Sequence, residues 1–192
     1  CIEGDFRFSA DLEVVCIHDA TTERVTNNMQ ELAVGRCDFE ELRSLDVGSW
    51  KASEYKDARV PALQQILLEM PAGKGIYIEI KDSDLHILSA IKACLDSVSF
   101  SLSRVKLISF NPDMLAYAKR EFCGFAVYFL SEICSLEEES GPEKRTVEQL
   151  IAKALEIGAD GVDVGNSLLI DEQFVKMLSE NNLELHVWTV NE

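Results

Sequence analysis

The chain has 192 residues, of which 47% are hydrophobic and 27% charged, and it can bury a sizeable core as an ordinary globular protein. Its net charge of −16 argues against a binder of duplex DNA or anionic membranes, because 18 basic residues scattered among 34 acids cannot form a basic patch. No apolar run approaches the roughly 20 residues that span a bilayer, so no stable membrane insertion is expected.

Short apolar runs in this sequence predict seven strands. They occupy residues 1–8, 13–18, 75–81, 104–110, 125–130, 161–165 and 184–190. The first two strands are joined by a tight connection at Ala10-Asp11, with no helix between them. Residues 20–60 then form a polar, helix-poor insertion, and the acidic stretch 137–145 is expected to be a solvated loop.

Capping signals predict helices between most of these strands. Asp38 and Glu41 have the spacing of a capping box that opens a short helix ending near Leu45. Pro61 is expected at the first position of the next helix, where proline is favoured. Four further helices are expected to begin at polar caps. They occupy residues 83–97, 111 onward, 146–158 and 171–181.

The alternation of strands and helices predicts parallel strands covered by helices. The regular recurrence of strands from residue 75 onward favours a (β/α)8 barrel, the TIM barrel, over a separate sheet domain. Seven strands are one fewer than a closed barrel requires. We therefore predict an α/β TIM barrel truncated to about seven strands, folded as a single domain over residues 1–192.

The six cysteines show neither a C-x-x-C pair nor the spacing of a zinc site. Cys16 and Cys94 lie in apolar contexts, which predicts reduced, buried thiols and makes a disulfide framework improbable. Reduced thiols favour a cytoplasmic location, although the sequence leaves the compartment open.

Three carboxylates could form a metal site. Glu3 and Asp5 are two apart in a strand and therefore share a face. Glu79 lies at the carboxyl end of its strand, which is where active sites are built in TIM barrels. Three such acids provide the oxygen ligands that Mg²⁺ or Ca²⁺ accepts. Spacing alone leaves open the alternative that they are exposed strand ends paired with lysine or arginine.

Two further residues could act on a substrate beside these acids. His18 ends an apolar strand, where it could serve as a general acid or base; alternatively it is a turn histidine capped by Asp19. Lys81 faces the same way as Glu79, so it could offset charge on a phosphate or form an ion pair with that glutamate.

The remaining aromatic and histidine candidates are weaker. Trp188 and Asn191 end the last strand, where the tryptophan could line a substrate pocket or complete the core. His86 is expected at the surface of a helix, and His186 is expected to be structural.

Four motifs follow one another along the chain: IEGDFRFSADLEVVCIHD (2–19), GIYIEIKD (75–82), ISFNPDML (108–115) and VWTVN (187–191). In kind and order they resemble the motifs of the glycerophosphodiester phosphodiesterase family, and the resemblance covers essentially the whole chain. The resemblance implies a TIM barrel that uses a divalent metal, Mg²⁺ or Ca²⁺, to hydrolyse small-molecule glycerophosphodiesters to sn-glycerol 3-phosphate and an alcohol.

The resemblance also implies a role for individual residues. By motif position it implies that the metal ligands are Glu3, Asp5 and Glu79, that His18 is one of two acid–base histidines, that Lys81 contacts the phosphate and that Trp188 lines the pocket. It places Arg24 and Thr26 at the start of the family's insertion, which corresponds to residues 20–60, without assigning them a role.

One family feature has no counterpart in this sequence. The family's first strand ends in His-Arg-Gly and is followed by a Glu-Asn-Thr segment, whereas the 192 residues contain no His-Arg pair. The resemblance implies that this strand supplies the second histidine and an arginine for the phosphate. Because seven strands leave an open barrel, we expect these residues to be a portion of a longer protein; the alternative is that the unit has been lost.

Two other functions remain as alternatives. One is a lysophospholipase D or sphingomyelinase D-like phosphodiesterase, which needs apolar loops at the mouth of the barrel; the polar insertion speaks mildly against it. The other is a degenerate, non-catalytic barrel that only binds a phosphodiester or a partner protein. No nucleic-acid partner is expected, and the oligomeric state is left open.

Overall fold

The structure, a computed structural model, describes residues 1–135 and 143–190. The chain divides into two units, Cys1–Arg104 and Val105–Glu192. Most of the predicted loop at 137–145 lies outside the described residues, and so does Asn191. The prediction of a single domain over the whole chain stays a prediction.

The first unit is built on three strands: β1 (Ile2–Phe8), β2 (Val14–Cys16) and β3 (Ile76–Ile80). β1 pairs in parallel with β3 over residues 2–6 and antiparallel with β2 over residues 6–8. One long strand therefore serves both a parallel pair and a hairpin. The tight connection expected in the hairpin is present, with the Leu12 N–H donating to the Ser9 carbonyl at 3.1 Å.

Three α-helices belong to this unit: α1 (Phe39–Ser44), α2 (Leu63–Glu69) and α3 (His86–Ser97). Short 3-10 turns occur at Val34–Arg36, Ser53–Tyr55 and Leu102–Arg104. α3 buries one apolar face at the 3.6-residue period, formed by Ile87, Leu88, Ile91 and Leu95.

The capping box predicted for α1 is wrong. The Asp38 side chain makes no capping hydrogen bond. Instead, the Phe39 N–H donates to Asp11 Oδ1 at 3.0 Å, so the acceptor comes from the β1–β2 hairpin 28 residues earlier. A tertiary contact with Asp11 therefore takes the place of the predicted local cap at Asp38.

The predicted starts of α2 and α3 are also wrong. α2 begins two residues after Pro61, and the Ala62 N–H donates to Gln65 Oε1 at 2.9 Å. α3 begins three residues after Ser83, and its first N–H donates to Asp84 Oδ1 at 2.9 Å. In both cases another side chain in the same short segment satisfies the free N–H groups.

The polar region 20–60 carries a small apolar core of its own. Its buried members, together with two residues of the β2 segment, are Val15, Ile17, Val34, Cys37, Leu42 and Val60. Partly buried Val25, Leu32, Phe39 and Val47 pack against them. Burial of these side chains fixes the loops that follow β2.

The second unit contains β4 (Val105–Ser109), β5 (Ala126–Ile133), β6 (Lys144–Arg145), β7 (Gly161–Gly165) and β8 (Glu184–Trp188). β5 pairs in parallel with β4, β6 and β7, and β7 pairs in parallel with β8. The two-residue β6 was not predicted; it lies in the expected loop and is too short to show a hydrophobic period.

Helices α4 (Pro112–Glu121), α5 (Val147–Ile157) and α6 (Glu172–Glu180) connect these strands. The predicted caps are confirmed here. Asn111, Thr146 and Asp171 each accept a backbone N–H from the first turn of their helix. α5 ends at Gly158, whose φ of 69° is the left-handed conformation typical of helix ends.

Parallel strands alternating with helices make this an α/β fold, as predicted. Among residues 1–135 and 143–190, no helix is long and apolar enough to cross a bilayer.

Candidate active site

The register of β1 and β3 brings the three predicted carboxylates together. Asp5 lies opposite Glu79 in the parallel pair, and Glu3 is two residues before Asp5 on the same face. One ligand oxygen from each of the three residues lies within 4.8 Å of the others. Within the described ranges, this is the one group of three or more acidic, histidine or cysteine side chains close enough to share an ion.

Lys81 lies between two of these carboxylates. Its Nζ is 2.5 Å from Glu79 Oε1 and 3.1 Å from Asp5 Oδ1. Burial lowers the pKa of the Lys81 ammonium, but the two carboxylates outweigh that effect and leave the pKa above its usual value. The ion pair that the sequence offered as an alternative is therefore formed.

Glu79 is the most buried member of the group, at 9% exposure. Burial has the largest single effect on its pKa and raises it; the Lys81 ammonium opposes this effect, the Asp5 carboxylate adds to it, and the pKa lies above its usual value. Among the described residues, no donor meets the geometry of a hydrogen bond to Glu79 Oε1. The Lys81 ammonium forms an ion pair with this oxygen instead.

This donor set fits a hard divalent cation. Three carboxylates at such separations repel one another unless a cation or proton lies among them. Mg²⁺ and Ca²⁺ bind through oxygen ligands of this kind and complete their coordination with water or substrate. The buried Glu79 oxygen, whose nearby polar contact is an ammonium, is suited to such a ligand role.

Gly4 leaves room for the side chains beneath the carboxylates. A Cβ at this position would lie 3.1 Å from the Phe6 ring and 3.2 Å from Cys16 Sγ, closer than most side-chain contacts. Burial, followed by the Asp5 charge, raises the pKa of the Cys16 thiol to about 11. Cys16 and Cys94 are both free thiols, as predicted, but the predicted full burial is wrong because each is only half-buried.

The β1–β2 hairpin returns the chain to the carboxylates and places His18 beside β1. The Ile17 N–H donates to the Asp5 carbonyl at 2.9 Å. The Arg7 Nε–H donates to the His18 carbonyl at 3.0 Å, and the same guanidinium lies 3.5 Å from Asp82. Arg7 therefore links the hairpin to the segment that follows β3, a role for which the sequence gave no signal.

Asp19 joins His18 to Arg24. His18 Nδ1 lies 2.6 Å from Asp19 Oδ1, and Arg24 donates to both oxygens of the same carboxylate, at 2.6 and 3.2 Å. Arg24, then His18, holds the pKa of Asp19 at about 2. The Thr26 hydroxyl lies 2.9 Å from the Thr22 carbonyl and 2.8 Å from the Gln30 carbonyl, either of which can accept its hydrogen, and it closes the turn.

Trp188 ends β8 in the second unit. Its ring meets Phe110 edge to face at 6.1 Å, and its Nε1–H donates to the Asp163 carbonyl at 3.3 Å. It also borders an open cleft of about 770 Å³ with Asn166 and Leu168. Trp188 is therefore half-buried, with Phe110 on one side and the cleft beside it; its predicted role in lining a substrate pocket stays a prediction.

The other two histidines have the surroundings expected of them. The His86 side chain is 87% exposed, and its Nδ1 lies 2.8 Å from Asp84. His186 stacks on Tyr128 at 4.2 Å, and its pKa is lowered by burial and then by Lys106.

Solved structures with the same fold are phosphodiesterases. A phosphodiesterase from Oleispira antarctica, in complex with its product sn-glycerol-3-phosphate, matches with a TM-score of 0.79 at 21% identity, over 99% of this chain and 72% of that one. A glycerophosphodiester phosphodiesterase from Agrobacterium tumefaciens matches with a TM-score of 0.75 at 22% identity, over 99% and 74% of the two chains. The predicted α/β TIM barrel is confirmed.

Sequence comparison gives the family. The model of the glycerophosphoryl diester phosphodiesterase family matches residues 1–192, and the chain belongs to this family. Its relatives in Bacillus subtilis include YhdW, whose name assigns the same activity, at 26% identity over 99% of this chain and 74% of YhdW. A second is a glycerophosphodiester phosphodiesterase at 26% identity, of which the chain spans 66%. The predicted family and enzyme class are therefore confirmed.

Proposed function

We propose that the protein hydrolyses glycerophosphodiesters to sn-glycerol 3-phosphate and an alcohol in a reaction that depends on a divalent metal. The observation that carries this proposal is the convergence of Glu3, Asp5 and Glu79 beside Lys81 in a chain of this family. The product seen in the Oleispira antarctica structure supports the substrate class. The products would enter glycerol and lipid metabolism.

The three carboxylates would hold the metal, which is Mg²⁺ or Ca²⁺ by the chemistry of the ligands. A bound divalent ion supplies Lewis-acid polarisation of the phosphoryl oxygens. Lys81 adds a second positive charge, and it would stabilise the negative charge that develops on the phosphate. Trp188 would line the substrate pocket.

His18 would carry a proton to or from one of the two apical oxygens of the reacting phosphorus. Its Nδ1 is occupied by Asp19, so Nε2 is the atom suited to this exchange. In-line hydrolysis of a diester needs proton transfer at both apical oxygens. The family resemblance implies a second histidine for the other one, on the His-Arg-Gly strand that residues 1–192 do not contain.

The direct test is the release of sn-glycerol 3-phosphate from glycerophosphocholine by the complete protein. We expect release to stop with EDTA and to return when Mg²⁺ or Ca²⁺ is restored in excess. Glu79→Gln should abolish this metal-dependent release while circular dichroism shows an unchanged fold. Glu40→Gln is the matched control, because Glu40 is an exposed glutamate in an ion pair with Arg43 at 3.3 Å.

Two outcomes would count against the proposal. Full activity of Glu79→Gln would remove the metal assignment, since this residue supplies the most buried of the three carboxylates. Faster release of choline from a lysophospholipid than of sn-glycerol 3-phosphate from glycerophosphocholine would favour a lysophospholipase D-like enzyme.

A further inference from the structure

Asp19 is shared between a histidine and an arginine in a way that fixes both of its oxygens. Oδ1 lies 2.6 Å from His18 Nδ1 and 3.2 Å from Arg24 Nη2, whereas Oδ2 lies 2.6 Å from Arg24 Nε. Two donors on one guanidinium hold a carboxylate in a defined plane, which a single contact cannot do. The plane in turn fixes the direction in which Oδ1 meets the imidazole.

A carboxylate at Nδ1 selects one tautomer of a neutral histidine. An ionised carboxylate only accepts hydrogen bonds, so Nδ1 must carry the proton and Nε2 must present its lone pair. The Arg7 contact with the His18 carbonyl fixes the backbone of the same residue. His18 is therefore held at both its main chain and its ring.

We propose that Asp19, oriented by Arg24, is a positioning residue that fixes the tautomer of His18 and leaves Nε2 available for proton transfer. This inference rests on the proposed function, because it assumes that His18 is an acid–base group. It gives Arg24 a role at the start of the insertion: the guanidinium acts on the histidine through the carboxylate between them.

If Asp19 had a purely structural role, its loss would mainly lower the stability of the protein. The side chains are 55%, 30% and 61% exposed for His18, Asp19 and Arg24. Exposed ion pairs of this kind contribute little to stability. Loss of the carboxylate should therefore change the chemistry of His18 much more than the folding of the protein.

A second aspartate–histidine contact, between Asp84 and His86, can serve as a control for the contact of Asp19 with His18. Asp84 Oδ1 lies 2.8 Å from His86 Nδ1, and among the described residues no arginine is found in an ion pair with Asp84. Asp84→Asn therefore removes an Asp–His contact that involves none of the three carboxylates. Arg43→Gln similarly removes an exposed arginine from its pair with Glu40.

The test compares Asp19→Asn, Arg24→Gln and Arg24→Lys with these two controls in the complete protein, using glycerophosphocholine. We expect Asp19→Asn to lower kcat by roughly ten- to a hundredfold, a part of the usual acid–base contribution, with KM within about threefold. Arg24→Gln should lower kcat less. Arg24→Lys should restore only part of the loss, because an ammonium lacks the planar pair of donors. The controls should match the wild type.

The second readout is the ¹⁵N spectrum of the imidazole, recorded where the ring is neutral and assigned by its loss in His18→Gln. The Nδ1–H tautomer should dominate in the wild type and give way to Nε2–H in Asp19→Asn. With an active wild type, an unchanged tautomer or an unchanged kcat in that variant would overturn the inference. An inactive wild type would instead overturn the proposed function, and the tautomer would still decide whether Asp19 orients His18.

Discussion

Glu79 differs from the many surface acids of this chain because its position makes ionisation costly. It is 9% exposed, it lies opposite Asp5 on the neighbouring strand, and Lys81 contacts it from two residues further on. A carboxylate in such surroundings is stabilised in its charged form by a cation. At the scale of single residues, each carboxylate of the candidate site therefore depends on a nearby cation, and Lys81 supplies one.

His18 provides the clearest test at this scale. Removal of its ring by His18→Ala should lower kcat for glycerophosphocholine by roughly 10²–10⁴-fold, because a positioned acid or base contributes about that factor. His86→Ala is the matched control, since its side chain is 87% exposed and also pairs with an aspartate. A decrease of less than threefold in the steady-state kcat of His18→Ala would remove His18 from the mechanism.

At the scale of elements, local signals located the caps of the second unit and failed in the first. Asn111, Thr146 and Asp171 cap their helices with their own side chains, so a reading of neighbouring residues suffices. In α1 the acceptor is Asp11, and 28 residues separate it from the N–H that it satisfies. Sequence patterns contain no information on such a contact until the fold is known.

The same distinction applies to the candidate site. Strand alternation was enough to place Glu3 and Asp5 on one face, and the family motifs pointed to Glu79. The contact of Asp19 with Arg24 depends on the path of a turn, and that of Arg7 with His18 depends on hairpin geometry. Neither has a periodic signature, so neither was predicted.

Thr146 and Ser83 were both predicted to cap a helix, but only Thr146 does so. Thr146 accepts the Gln149 N–H at 3.3 Å, whereas Ser83 precedes the start of α3 and makes no cap. Thr146→Ala should therefore lower the free energy of unfolding by about 1 kcal/mol, the usual value of an N-cap. Ser83→Ala should leave it unchanged. Urea unfolding followed by circular dichroism measures both, and equal losses would contradict the assignment of the caps.

At the largest scale, the dominant property of these 192 residues is charge. The chain carries −16, yet the proposed substrates contain a phosphodiester anion. A negative protein repels such a substrate on approach, and only local cations such as Lys81 and the proposed metal reverse the potential at the site. The repulsion is long-ranged at low salt and decays within about 8 Å at physiological ionic strength.

Two substrates of different charge make this repulsion measurable. Glycerophosphocholine is zwitterionic with no net charge, whereas glycerophosphoglycerol is a monoanion at neutral pH. Raising the ionic strength from about 0.01 to 0.15 M shortens the screening length from roughly 30 to 8 Å. A repulsive potential of one kT excludes a monoanion roughly threefold.

We therefore expect kcat/KM for glycerophosphoglycerol, divided by that for glycerophosphocholine, to rise by about this factor at saturating metal when the ionic strength is raised. Because both substrates share the metal and the catalytic groups, the ratio cancels the effect of salt on the site itself. A ratio that stays constant or falls would show that the chain's net charge does not govern the approach of its substrate.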